Sequence, residues 1–585
     1  MKQIPQQTIL KPTGLSDILG DVVETFNIDL SSNYGGIRTT GTKLVSGSET
    51  DSSIETPVSF SIYNNDYYAV MNDFVYKTDN VMNDSFSKIT STNSPDGETA
   101  LQTSDSEVFN GSLYVSGNNE IMKLNGSTWS TPIDSDITAS TPHLLESYAN
   151  RLYVTNDYVK VYSIDKSDNP STSGPNTLDL GLDASEWTIT MLKSSEDRIW
   201  IGCLNTETGR GRVYSWDGET QNKATAYYDL ESGVMAGTIF NNTPYIFDAN
   251  GRLLVFAGGS FVEKARVFKK TSTTFDGIDN QGNNRFIHPN GMTVTDYGTI
   301  LIFFSNEIAI ANTENKEYTV PSGVYEYDPN IGLYHKYSLS YTPVAGTVVT
   351  DYGQQSIQRI GAGAIFYNKS TRKSATDSGN LLMGARYYRD SSNDEYGIFI
   401  DDTLDTTQKY GYFITTKLMA DQVVSTWKKV YAIYKKLLNT TDKIVVKYRT
   451  EDDEPMEATI TWTSTSTFTT TSSIASYEED DEVQIIQGTG SGKLSHITSI
   501  TESGGTYTVT LDETYSGVSG NAKCLLSKWK KAGEITQDDG KSRWKGFTTP
   551  SDNISPYIQF KVGMQFTGKN ELYKIRTVDE TNVLE

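Results

Sequence analysis

The chain has 585 residues, with 73 acidic against 50 basic side chains, a formal charge of -23 and 36 tyrosines within a hydrophobic content of 36%. That length exceeds one ordinary core and implies several domains, while the sign of the charge argues against a nucleic-acid clamp, which neutralises phosphates with clustered Lys and Arg. Abundant Tyr, Ser, Thr, Asn and Gly without long Ala/Leu/Glu/Lys periodicity place the chain in the all-β class, because a tyrosine ring packs on a half-exposed strand while its hydroxyl reaches water.

Residues 1–45 read as an N-terminal arm and closing strand. Met1 to Pro5 carries no apolar core of signal-peptide length, and no window approaches the roughly 18 apolar residues of a membrane helix. The expectation is a protein made in a cytoplasm, without membrane insertion. Leu15, Ile18, Leu19, Val22 and Val23 follow the stripe of an amphipathic helix over Leu15 to Phe26. Strands follow at Phe26 to Leu30 and Ile37 to Leu44, and the second is expected to pair with Gly411 to Leu418, removing two exposed edges.

From 46 to 425 one outline recurs. Val108 to Ser130 is its clearest copy: Leu113-Tyr114-Val115 follows the turn Asn110-Gly111, Gly117-Asn118-Asn119 turns into Ile121 to Leu124, and Asn125-Gly126 turns again before Trp129. Anchoring on Tyr67-Tyr68, Leu113-Tyr114, Leu152-Tyr153, Ile199-Trp200, Pro244-Tyr245, Leu301-Ile302 and Leu381-Leu382 gives seven units, the first four intervals spanning 39 to 47 residues. A four-stranded propeller blade needs roughly 40 to 50 residues, so the pattern predicts an irregular β-propeller of about seven blades with insertions in the later ones. A phrase of alternating residues ending in a polar turn recurs at Lys160 to Ser163, Arg212 to Gly218 and Gly323 to Asp328. The longest insertions, around 268–290 and 368–410, are polar and turn-rich.

After Trp427 the strands lengthen. Lys429 to Leu438, Lys443 to Thr450, Ala458 to Thr463, Tyr557 to Phe566 and Leu572 to Ile575 predict a β-sandwich built from 426–470 and 527–585. The piece 471–526, with strands at Glu482 to Ile486, Lys493 to Ile500 and Thr506 to Leu511, reads as a small β-barrel inserted in it.

No stretch carries a catalytic signature. His143, His288, His335 and His496 are scattered, Cys203 and Cys524 have no CxxC neighbour, and no DxDxDG loop spaces oxygen ligands in the acidic runs Glu451 to Glu454 and Glu478 to Glu482. Gly488-Thr489-Gly490-Ser491-Gly492 lacks the Gly-Lys-Ser/Thr ending of a phosphate cradle. Asn125-Gly126-Ser127-Thr128-Trp129 lacks the aspartate of a sialidase Asp box. Arg151, Arg198, Arg252 and Arg285 lie in blades or loops, and a propeller glycosidase would require them to converge on paired carboxylates. The reading is a protein without catalytic, cofactor-binding or metal residues.

The run Phe26-Asn27-Ile28-Asp29-Leu30-Ser31-Ser32-Asn33-Tyr34-Gly35-Gly36-Ile37-Arg38, the Tyr-rich blades and the strand Tyr557-Ile558-Gln559-Phe560-Lys561-Val562 together resemble structural proteins of tailed-bacteriophage virions. The likeness is to propeller-containing tail nozzle or hub proteins. The resemblance implies a non-catalytic homo-oligomeric ring around the DNA exit channel. Its partners would be a tail adaptor and fibres, with DNA passing through unbound. The alternative is a receptor- or carbohydrate-binding propeller at a fibre tip, and after it a propeller glycosidase.

Overall fold

Among the described residues, short apolar runs closed by Asn, Asp and Gly turns fold as antiparallel hairpins through much of the first three hundred positions. In the computed structural model the protein is all-β. Among the described residues the regular elements are strands and one turn of 3-10 helix at Glu451–Asp453. The described residues are 7–9, 22–30, 38–45, 57–71, 74–79, 86–89, 105–134, 137–139, 141–267, 287–304, 323–339, 363–367, 381–388, 394–401, 408–415, 417–419, 425–487, 494–512, 514–515, 518–537, 544–548, 554–567, 570 and 572–580.

Two compact units share the chain. The first comprises Thr42–Ile308 with Arg359–Asp402. It opens with sheet I (Pro57–Tyr63, Asp66–Met71, Phe74–Thr78, Ser87–Lys88) and sheet II (Ser106–Phe109, Ser112–Ser116, Glu120–Asn125, Thr128–Asp134). Sheet III is Leu145–Tyr148, Arg151–Asn156, Lys160–Ile164 and Pro170–Ser171, with Leu178–Asp179 also on its third strand. Sheet IV (Trp187–Ser194, Ile199–Asn205, Gly211–Trp216, Ala226–Leu230) and sheet V (Val234–Phe240, Thr243–Asp248, Arg252–Ala257, Ser260–Arg266) repeat the four-strand order. Sheet VI contributes the hairpin Met292–Val294 with Ile300–Phe304, and sheet VII is Ile365–Tyr367, Leu381–Tyr388, Asp394–Asp401 and Thr42–Leu44.

Local chemistry explains the hairpins. Asn110 and Gly111 sit at φ 47° and 74°, the doubly positive geometry whose twist matches the strands it joins. At or just after the end of the recurrent phrase stands an aspartate whose carboxylate closes the next turn. Asp165 Oδ1 accepts from the amides of Ser167 and Asn169 at 2.8 and 3.0 Å, and Asp217 Oδ1 from those of Glu219 and Thr220 at 2.9 and 2.8 Å.

All seven aromatic or aliphatic anchors lie in second strands. The first strands of these units lie side by side in a closed cycle: Pro57–Tyr63, Ser106–Phe109, Leu145–Tyr148, Trp187–Ser194, Val234–Phe240, Met292–Val294, Ile365–Tyr367 and back to Pro57–Tyr63. Between sheets the first three strands contribute the core, as where Leu113, Val115, Met122 and Leu124 pack with Val58, Tyr68, Val70 and Val75. Sheets IV and V approach closely: a Cβ on Gly202 would stand 2.6 Å from Val234 Cγ1.

The second unit comprises Met1–Gly41, Ala309–Gln358 and Thr403–Glu585. One sheet runs Val22–Phe26, Gln408–Thr415, Tyr557–Thr567, Lys443–Arg449, Lys530–Thr536, with Leu418–Met419 also on Tyr557–Thr567. Another runs Gln7–Ile9, Leu572–Glu580, Ser425–Tyr434, Trp544–Thr548, with Ile554–Ser555 on Ser425–Tyr434. Val430, Ala432 and Tyr434 of the second sheet share one core with Ile444, Val446, Phe560, Val562 and Met564 of the first. Six further strands, Met456–Trp462, Thr467–Thr470, Glu482–Gln487, Leu494–Ser503, Thr506–Leu511 and Asn521–Ser527, close into a barrel around Ile460, Phe468, Ile485, Val509 and Leu526.

Four sequence expectations change. Val22–Phe26 is a strand, held by Gln408–Thr415 in the register Phe26 to Tyr412, so the helix expected over Leu15 to Phe26 is wrong at that end; the remainder lies outside the described residues. Among the described residues, no pairing joins Ile37 to Leu44 with Gly411 to Leu418. Thr42–Leu44 instead completes sheet VII opposite Phe399, Ile400 and Asp401, and Arg38–Thr39 pairs with Ile28–Asp29. The barrel begins at Met456 rather than 471, because Met456–Trp462, expected in the sandwich, takes Asn521–Ser527 as its partner. Finally, Gln408–Thr415 lies beside Tyr557–Thr567 and not within the 46–425 repeats, its ladder running from Gln408 opposite Thr567 to Ile414 opposite Lys561.

Candidate functional site

The anchors carry a second regularity. Each of Tyr68, Tyr114, Tyr153, Trp200 and Tyr245 faces, across the first hairpin, the residue seven positions earlier: Ser61, Glu107, Glu146, Lys193 and Thr238. On three successive first strands the repeat therefore presents Glu107, Glu146 and Lys193, and Asp105 stands just before them.

Four donors hold Asp105: Ser59 Oγ at 2.8 Å, Asn290 Nδ2 at 2.9 Å, and the amides of Ser106 and Leu145 at 2.8 and 3.1 Å. Glu146 Oε1 accepts from Ser194 Oγ at 2.6 Å and from the Ser194 amide at 2.9 Å, while Lys193 Nζ stands 3.7 Å from Glu146 Oε2. Glu107 accepts from Ser147 Oγ at 2.7 Å. Lys193 and Glu146 keep 27% and 16% of their side-chain surface open, so the centre is enclosed but not dry.

Burial, then the neighbouring Glu146 carboxylate, pushes the Glu107 carboxyl up to about 7. Burial raises Glu146 as well. Burial works against the Lys193 ammonium, yet Glu146, Asp105 and Glu107 together raise its pKa. The centre can hold and exchange a proton near neutrality, and it can present negative charge inward.

Three of the four arginines singled out from the sequence serve their own sheets. Arg151 Nε donates to Ser163 Oγ at 2.9 Å and Arg198 Nη1 to Ser215 Oγ at 3.3 Å, equivalent links from the start of the second strand to the third. Arg252 Nε donates to Asp248 Oδ2 at 2.7 Å, and Arg285 lies outside the described residues. Their side chains are thus engaged in sheet contacts, while the carboxylates gather with Lys193. His143 bridges the carbonyls of Thr155 and Asn118 at 2.9 and 3.0 Å, and burial lowers its pKa. His335 Nδ1 accepts from the Asn27 amide at 3.1 Å and its ring stacks on Phe26. His288 Nδ1 accepts from the Asn290 amide at 3.1 Å.

Among the acidic runs, Glu451–Asp453 is the 3-10 turn, and Glu482 is buried, with Lys561 Nζ at 2.8 Å, Lys447 Nζ at 3.5 Å and His496 Nε2 at 4.0 Å. Burial opposes its charge, but Lys561 and Lys447 hold its carboxyl down to about 2. Cys203 and Cys524 are free and buried. No group of three or more His, Cys, Asp or Glu among the described residues is arranged to hold a metal ion. Gly488 to Gly492 lies outside the described residues.

No protein-family model and no curated protein matches the chain. Among solved structures it is similar to the extracellular domain of a one-component system from B. thetaiotaomicron, at 11% identity and TM-score 0.38, over 68% of this chain and 43% of that one. The chain thus spans less than half the length of that domain. A chain of the mitotic checkpoint complex is similar at 10% identity and TM-score 0.35, over 63% of this chain and 95% of that one. The computationally designed Ika8 protein is similar at 10% identity and TM-score 0.33, over 60% and 98%.

Proposed function

We propose that the chain is a non-catalytic structural subunit of a tailed-phage particle, a nozzle or hub component that forms a homo-oligomeric ring around the DNA exit channel. In this reading the seven anchored units are blades of one β-propeller, and the two sheets of the second unit form a sandwich from which the barrel emerges. The observation that carries the architecture is the closed cycle of seven first strands. Symmetric repetition would multiply the modest contacts of each subunit, and an excess of acid over base would let DNA pass without adhering.

Electron microscopy tests this: purified chain should give closed rings of cyclic symmetry, and antibody against it should mark the tail of intact particles. Monomers confined to fibre tips would remove the ring and promote the alternative, a receptor- or carbohydrate-binding propeller. One surface favours that second reading. Arg212 lies 4.8 Å from the ring centre of Tyr227 and 5.6 Å from that of Trp187, and Tyr227 is 60% exposed.

A further inference from the structure

The acidic centre carries more negative charge than its cation can balance. Three carboxyls meet one ammonium, and they are not equally served. Asp105 has four donors, whereas Glu146 has two donors and Lys193. Among the described residues, Glu107 accepts from the Ser147 hydroxyl alone.

The charged and ionisable groups on the neighbouring elements do not relieve this imbalance. The residue before the strand of Glu107 is Asp105; Leu145–Tyr148 brings Glu146; Lys193, on Trp187–Ser194, is spent on Glu146. The strand Pro57–Tyr63 offers Ser59 and Ser61, which bond Asp105 and Ser106, and its one ionisable side chain, Tyr63, takes the Gly126 amide. On Ser112–Ser116, directly opposite Glu107, Tyr114 turns its hydroxyl to Asp168. His143, at the entrance to Leu145–Tyr148, has both ring nitrogens on backbone carbonyls.

We infer that the centre of the strand cycle is a proton-binding site: Glu107, accepting from the hydroxyl of Ser147 next to Glu146 in the chain, takes up one proton and releases it as the solution turns alkaline. The hydrogen joins a carboxylate oxygen and leaves as a solvent proton, with no other bond made or broken. Enclosed surroundings disfavour a second uncompensated charge, and the upward displacement of the Glu107 carboxyl agrees with the geometry. The sign follows from linkage. The folded chain holds a proton that the unfolded chain has already lost, so the stability this group supplies is full below the ordinary glutamate pKa and falls as pH rises toward 7.

Two measurements on the full chain test the site. In infrared difference spectra between pH 5.5 and pH 8.5, the band of a protonated carboxylic acid should disappear on alkalinisation in the wild type, and Glu107→Gln should lack that change. Gln keeps an acceptor for Ser147 and cannot ionise. Correspondingly, the melting temperature of the wild type should fall by several degrees relative to Glu107→Gln over the same range. Parallel melting curves, or an infrared change that persists in Glu107→Gln, would overturn the assignment. Should Glu107→Gln fail to fold, Glu146→Gln serves instead: with the repelling charge gone, Glu107 should ionise more readily and the band should vanish at lower pH than in the wild type, and an unmoved midpoint counts against the site.

Discussion

The two units each bury a knot of charge, and the knots are built with opposite arithmetic. Around Asp105, Glu107 and Glu146 one lysine answers three carboxyls; around Glu482 two lysines answer one carboxylate. The first knot rises from a repeat, one residue per strand, whereas the second is assembled from a barrel strand and two sheet strands far apart in sequence. The difference teaches that the sign of a pH response follows from local charge balance rather than from the net charge of -23. The acid-rich knot loses stability as pH rises, the cation-rich one as pH falls.

Removing the barrel should strike the second knot hardest. Tyr448 lies opposite Lys530, so the chain ends left by excising 456–527 are neighbours that a short Gly/Ser linker can join. Excision also strips Lys561, 2% exposed, of Glu482, and breaking a buried ion pair by removing one partner costs about 3–5 kcal/mol. The excised chain should therefore fold poorly, and adding Lys561→Met should restore a cooperative urea transition. Equal midpoints with and without Lys561→Met would show that the pair does not matter.

Acid should come next in effect. Glu482 is held near 2 against 4.5, so its contribution is full above about pH 4.5 and fades toward pH 2. Its size is roughly 3 kcal/mol. Urea midpoints from pH 6 down to pH 2.5 should fall more steeply in the wild type than in a Glu482→Gln/Lys561→Met variant. Lys193→Met, by contrast, should cost only about 1–2 kcal/mol at pH 6, because the carboxyls can take up protons, and more at pH 8; equal losses at both pH values would refute the asymmetry. The smallest signal is chemical. Burial pushes the Cys203 thiol upward and the Cys524 thiol to about 12, so neither should react with a thiol reagent until its unit unfolds.

Much of the first unit was legible because its information is local. Tyr114, Tyr153 and Trp200 mark second strands, and each partner lies within a few residues, so alternation and Asn-Gly turns suffice. The acidic centre could have been found the same way, by stepping back seven residues from each anchor to Glu107, Glu146 and Lys193. The second unit resisted because its partners are remote. Val22, Val23 and Phe26 fit a helical stripe as well as a strand, and Gln408–Thr415 decides between them. Ala458 to Thr463 alternates as a sandwich strand would, and nothing nearby announces that Asn521–Ser527 will claim it. Lys561 and Glu482 meet across a separation of 79 residues, where no pattern of spacing operates.

The pairing of Thr42–Leu44 with Asp394–Asp401 also sets a clock. A ribosome adding about 5–20 residues per second needs roughly 20 to 70 s between making the first of these strands and the last. Throughout that interval sheet VII does not exist, and the six earlier first strands have no seventh to close their cycle. The nascent chain therefore carries open strand edges for most of its synthesis, the state in which such edges recruit foreign strands. Growth temperature and translation rate should accordingly govern the soluble yield of this protein more strongly than the stability of its finished form.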